Sequence, residues 1–192
     1  SYLTEETHNE IFSSNFVTEF DEVLRNGIVF GPGTIYSDWR KSTGLNYQAS
    51  TAGTVQLIED ATKNVIGCLE KIKLTAKQAF EEFGANAGES VTVAANDPVR
   101  ENDEFEFVCK VAPRKKRNPR LKDTLNMKYE LIYVSCKDGE VVFEDGFDEN
   151  PYHTFRWMRP ANEKDGRGIG TEILPQVKVL NTMERALIDC AN

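Results

Sequence analysis

Between Asn150 and Asn181 the sequence passes through three pieces. A strand-like Asn150-Pro-Tyr-His-Thr-Phe-Arg-Trp-Met-Arg159 comes first, then a glycine-rich Asp165-Gly-Arg-Gly-Ile-Gly170, then Leu174-Pro-Gln-Val-Lys-Val-Leu-Asn181. Apolar residues return at Ile173, Val177, Leu180, Met183, Leu187 and Cys190. Those steps of three and four predict one stripe of a helix over about 171–190. Pro175 suits the opening of that helix, where few amide partners are lost. A long helix with an apolar stripe needs a surface to cover it. The reading that follows is an element that packs against copies of itself.

Gly166-Arg-Gly-Ile-Gly170 invites comparison with a phosphate or dinucleotide loop. That fingerprint needs its third glycine three residues after the second, inside a parallel βαβ unit. Here the spacing differs and the neighbouring strands read as antiparallel, so the glycines are expected to form a tight turn that delivers the chain into the helix.

Upstream, Thr7-His-Asn-Glu10 fits a capping box. Ile11, Phe12, Phe16, Phe20, Val23 and Leu24 then mark a helical face. With Asn26-Gly27 as a C-terminal stop, the expectation is a helix over about 8–26. Ile28-Val-Phe30 and Thr34 to Trp39 read as strand, as do Val55 to Glu59 and Val65 to Leu74 around a turn at Thr62-Lys-Asn64. In the last of these, Cys68, Glu70 and Ile72 alternate with Leu69, Lys71 and Lys73. Thr75 can cap a short helix from Ala76 to Phe83 that Gly84 closes. Ala85 to Arg100 is polar and small and reads as a connector. Strands resume at Glu104 to Val111 and Lys128 to Cys136, and an Asp138-Gly139 turn leads into Glu140 to Phe143. The fold class is therefore α+β, with a long helix at each end flanking short antiparallel strands.

Lys+Arg 23 against Asp+Glu 31 gives 23 − 31 = −8. Such a chain is poorly suited to gripping duplex DNA over a broad face, which needs clustered cations. Cys68, Cys109, Cys136 and Cys190 form no Cys-x-x-Cys pair, and isolated cysteines of this kind read as small buried residues in a reducing compartment. His8 and His153 stand apart from the cysteines and from each other, so no zinc set is expected. Asp145, Asp148, Glu149 and Asn150 lack the spacing of a calcium loop. No nucleophile elbow or paired-carboxylate signature appears, so neither enzymatic activity nor a cofactor is expected. No apolar run of membrane-spanning length or basic-then-apolar leader is present. One exposed-looking segment departs from the acidity. Arg114, Lys115, Lys116, Arg117 and Arg120 place five cations within seven residues, in the proline-flanked loop Pro113-Arg-Lys-Lys-Arg-Asn-Pro-Arg120. It reads as a solvated loop or as a local contact with phosphates or an acidic partner. Arg156-Trp157 reads as a packed strand residue beside a charge.

The order of these blocks resembles the portal, or head-to-tail connector, proteins of short-tailed phages (podoviruses). Phe30-Gly-Pro-Gly-Thr-Ile-Tyr36 is similar to a Phe-Gly-Thr-Gly strand of that family. Leu74-Thr-Ala-Lys-Gln-Ala-Phe-Glu-Glu-Phe-Gly84 resembles its glutamine-containing helix closed by Phe-Gly, and Val111-Ala-Pro-Arg114 a strand ending in Pro-Arg. The strongest match is Arg156-Trp157, then Gly166-Arg167-Gly168, then Leu174-Pro175 and Leu180-Asn181. Where many members carry Tyr-Gly-Arg-Ser-Pro, this chain has Asp165-Gly-Arg-Gly-Ile169.

The resemblance implies a central fragment of a structural subunit with a wing-like region at 1–84, a clip-like region with the basic loop at 85–165 and a stem-like helix at 166–192. It further implies a homo-oligomeric ring, a dodecamer in the full-length form, through which double-stranded DNA passes in packaging and ejection. Terminase large subunit, tail or adaptor proteins, and capsid or scaffolding proteins would be the partners. The location would be the portal vertex of the virion, with assembly in the host cytoplasm, from a free phage or a prophage. Nucleotide hydrolysis would belong to the terminase, in keeping with the lack of a Walker loop here. The alternative is a monomeric α+β binding module of prophage or host origin with no channel role.

Overall fold

The computed structural model describes residues 2–40, 44–121, 123–160 and 163–191. In chain order the elements are α1 (Tyr2–Ser13), α2 (Phe16–Phe30), β1 (Pro32–Arg40), β2 (Gly44–Ala49), β3 (Val55–Glu59), β4 (Val65–Thr75), α3 (Ala76–Phe83), α4 (Glu89–Ala95), β5 (Glu104–Pro113), β6 (Tyr129–Ser135), β7 (Val141–Phe147), β8 (Tyr152–Arg156) and α5 (Ile169–Ala191). Short 3-10 turns at Gly84–Ala87 and Thr124–Asn126 complete the set. This is the expected α+β class, with two antiparallel sheets. The chain divides into two compact units, Ser1–Ala52 with Thr154–Asn192, and Gly53–His153.

In the first unit, the single helix expected over 8–26 is two helices. Ser14 breaks it: its hydroxyl donates to the Ile11 carbonyl at 2.5 Å and accepts from the Phe16 amide at 3.2 Å, replacing helical bonds. Serine and asparagine compete with the backbone in this way, which disfavours them in helix interiors. α1 already begins at Tyr2, so Thr7 lies inside the helix rather than at its N-terminus. Nor does Gly27 stop the helix. α2 runs through Ile28-Val-Phe30, expected as strand, to Gly31, whose amide donates to the Gly27 carbonyl at 3.0 Å. Gly27 is needed for another reason: together with Gly33 it makes room for the Phe155 ring, which a Cβ at either position would strike.

A three-stranded sheet of order β2-β1-β8 lies beside α2. Ile35 pairs with Ala49 and Arg40 with Gly44. On the other side of β1, the Thr34 and Thr154 hydroxyls meet at 3.0 Å. The outer edge of β2 is met by side chains rather than by a strand. The Asn15 carboxamide accepts from the Tyr47 amide at 2.9 Å and donates to its carbonyl at 2.7 Å, while Glu19 accepts from the Ala49 amide at 2.7 Å. An open strand edge is a template for unwanted pairing, and these bonds occupy it.

The second unit is a five-stranded antiparallel sheet in the order β3-β4-β5-β6-β7. The alternation read at Cys68, Glu70 and Ile72 is present. Ile72 sits opposite Phe107 in register, and Ile72, Leu74, Phe105 and Tyr133 pack around a buried cluster of Ala79, Phe83, Ala87, Val91, Phe107 and Val142. On the opposite face, Lys71 pairs with Glu106 at 2.6 Å and Lys110 with Glu130 at 2.6 Å. Thr75 caps α3 as expected, and the Gln78 side chain completes a reciprocal capping box. The stretch 85–100, expected as a connector, holds α4. Val91 and Ala94 pack from α4 and Ala87 from the 3-10 turn before it, and all three are small and buried.

Candidate assembly and docking surfaces

α5 is two residues longer at its start than expected, so Pro175 stands inside the helix rather than at its opening. The glycine-rich turn ahead of it is a packing device. Met158 and Arg167 form an isolated antiparallel bridge, with the Arg167 amide donating to the Met158 carbonyl at 2.7 Å. Gly168 and Gly170 then press on the last turn of α2. A Cβ on Gly168 would stand 2.5 Å from the Val29 carbonyl oxygen, and one on Gly170 2.6 Å from the same atom. Glycine is required wherever backbone approaches backbone this closely. Arg167 is paired with Glu163, and the guanidinium holds that carboxyl below the usual carboxylate range. The Arg156 guanidinium donates to the Lys164 carbonyl at 2.8 Å. Trp157, expected to be packed, follows the end of β8 and is half-exposed, although its amide donates to the Gly31 carbonyl at 2.9 Å.

Beyond the turn, every residue from 171 to 190 is exposed. The stripe residues Ile173, Val177, Leu180, Met183 and Leu187 are therefore uncovered, Leu180 at 64% and Leu187 at 71% exposure. At 3.6 residues per turn, Val179 and Ile188 extend the stripe on its two sides, so the apolar arc spans roughly half the circumference. Glu172, Gln176 and Glu184 interrupt it, whereas Lys178, Asn181, Thr182, Arg185 and Asp189 share the opposite side with Leu174. A stripe facing one core spans about 100° or more, and a coiled-coil seam is narrower. Pro175, Gln176, Val179, Leu180 and Met183 line a shallow, almost wholly apolar hollow on this helix.

The basic loop joins β5 to β6, and its cations divide into two kinds. Arg114 is committed: its side chain is 9% exposed, donates to Glu144 at 2.8 Å and reaches the Asp145 carbonyl at 2.9 Å. Lys115, Lys116, Arg117 and Arg120 are exposed, and no carboxylate among the described residues pairs with them. The loop backbone is tied internally. The Asn118 amide donates to Asn126 Oδ1 at 2.9 Å, Arg120 N donates to Asn118 Oδ1 at 3.2 Å, and Asn126 Nδ2 donates to Asp123 Oδ1 at 2.7 Å. The 3-10 turn at its base lies on β7, where Gly146 leaves space for the Thr124 carbonyl. Two further residues on this loop carried no periodic signal in the sequence: Leu121 and Leu125 are 54% and 48% exposed.

A buried polar group lies in the second unit. Tyr152 donates its hydroxyl to Glu70 at 2.7 Å and sits 3.8 Å from the Cys109 sulfur. Burial pushes the Cys109 thiol up to about 11 and raises Cys68 and Tyr152 as well. Thiols held neutral in this way are poor nucleophiles. Cys136 and Cys190, in contrast with the expectation of burial, are exposed. His8 stacks on Phe12 at 4.4 Å between ring centroids, and His153 lies on β8. Among the described residues no group of three or more His, Cys, Asp or Glu could hold a metal ion, and no helix is long and apolar enough to cross a membrane.

The family model described as bacteriophage head to tail connecting protein matches residues 3–192. Among curated proteins, nothing matches.

Proposed function

Because the chain belongs to the bacteriophage head to tail connecting protein family, we propose that it works as a subunit of a portal ring in a short-tailed phage. The family makes it a structural part of the virion that associates with capsid and tail components. The proposed ring, a dodecamer in the full polypeptide, encloses the channel through which double-stranded DNA enters and leaves. On this reading residues 166–192 are the stem that lines the channel, 85–165 the clip that meets terminase and later tail proteins, and 1–84 the wing beside capsid or scaffolding proteins.

The single observation that carries the proposal is the breadth of the uncovered apolar arc on α5. A helix in a two-fold pair needs one seam, whereas a helix in a closed ring has a neighbour on each flank. An arc spanning roughly half the helix suits the second arrangement. The net charge of −8 also agrees. A channel that transports DNA works better without the many phosphate contacts that would hold it.

Electron microscopy of the purified full viral polypeptide tests this. Rings with a central hole are expected. Monomers at every concentration would return the chain to the class of free binding modules.

A further inference from the structure

We infer that the tip of the loop between β5 and β6 is a docking knob for a protein partner whose surface is an apolar depression with an acidic rim. The inference rests on the connector reading, which supplies capsid and tail proteins as candidates, and names the chemistry that one of them presents. Three observations carry it. Lys115, Lys116, Arg117 and Arg120 are exposed without carboxylate partners among the described residues, in a chain of net charge −8. Leu121 and Leu125 are exposed on the same loop, directly after those cations. Hydrogen bonds among Asn118, Arg120, Asp123 and Asn126 tie the two sides of the loop together, which lowers the conformational entropy lost on docking.

The leucines decide between partner classes. A phosphate backbone takes cations and hydrogen-bond donors and offers nothing to two half-exposed leucines. Protein interfaces combine an apolar centre with a polar, charged rim, which is the composition of this tip. Arg114 plays no direct part. Its ion pair with Glu144 anchors the loop stem, so a charge-removing variant that includes it confounds docking with folding.

The test uses the whole viral polypeptide in assembled particles. One variant combines Leu121→Ser with Leu125→Ser and keeps every cation. A second replaces Lys115, Lys116, Arg117 and Arg120 with serine and keeps both leucines. Each is expected to lower the yield of tailed or DNA-filled particles at least tenfold, with thermal melting of the purified chain unchanged. A leucine variant that assembles normally while the cation variant fails would overturn the inference in favour of a purely electrostatic or phosphate contact. Should the leucine variant misfold, Leu121→p-benzoylphenylalanine in purified particles gives an independent answer. Photocrosslinking to an Asp/Glu-flanked apolar segment of a different virion protein is the expected product. Crosslinks to DNA, to another copy of this chain, or to nothing overturn it. Deleting the chain altogether separates the two levels. Tailed particles formed without it would defeat the connector reading itself, whereas loss on deletion with a normal leucine variant defeats only the docking knob.

Discussion

Two sets of helices in this chain carry apolar faces of opposite fate. α3 and α4 present mostly small residues: Ala76, Ala79, Val91 and Ala94 are buried, Ala79 and Val91 in the cluster around Phe107. α5 presents Ile173, Val177, Leu180, Met183 and Leu187, larger and more apolar, and every one of them is exposed. The same driving force is satisfied inside the chain in the first case and left outstanding in the second. Exposed apolar surface on this scale marks an interaction site. On the proposed reading, stability and assembly fall to different residues, and substitution can separate them.

The largest stability effect belongs to the satisfied region. Phe107 is fully buried in the cluster with Phe83 and Val91. Phe107→Ala should cost about 3–5 kcal/mol in urea unfolding, from lost burial and the cavity left behind. A loss below about 1 kcal/mol would mean that the cluster is not the core of that unit.

Next comes the buried hydroxyl. Tyr152→Phe removes the bond to Glu70 and leaves that carboxylate under-satisfied, an expected loss of about 1–3 kcal/mol. Unfolding midpoints equal to wild type would show that solvent satisfies Glu70 equally well.

Alkaline pH gives a graded version of the same comparison. The Cys109 thiol, ordinarily near 9.0, is pushed up to about 11 by burial. The unfolded chain therefore loses this proton first, and the thiol's contribution is full below about pH 9 and lost as pH rises through about 11. Denaturation from pH 8 upward should show falling stability, with a shallower fall in Cys109→Ala. Stability that rises with pH would contradict this sign.

Smallest of all should be the effect of Leu180→Asp on folding. The side chain is 64% exposed, and its replacement is expected to change unfolding free energy by less than about 0.5 kcal/mol. A loss comparable with that of Phe107→Ala would abolish the distinction between the two helix sets.

How much of this was legible in the sequence followed from the range of each interaction. β3, β4 and the helix cap at Thr75 depend on neighbours within a few residues, and they read correctly. Gly27 looked like a stop because local rules favour glycine at helix ends. Its actual requirement, room for Phe155, comes from a strand far along the chain. α4 was hidden because alanine and serine give little hydrophobic contrast, and its buried residues are only Val91 and Ala94.

The surfaces divided in the same way. The stripe on α5 was visible as a period of 3.6, but periodicity carries no information on whether a stripe is covered. The five cations were visible as a run, whereas the withdrawal of Arg114 into a pair with Glu144 required the register of β5, β6 and β7. Leu121 and Leu125 fell in a segment without periodicity, and only their exposure singled them out.

The most direct measurement is the native mass of the full viral polypeptide beside its Leu180→Asp variant. A closed ring for the wild type, and folded subunits of single-chain mass for the variant, are the predicted pair of results. A wild-type monomer, or a variant that forms the same ring, would contradict the assignment of α5 as the assembly surface.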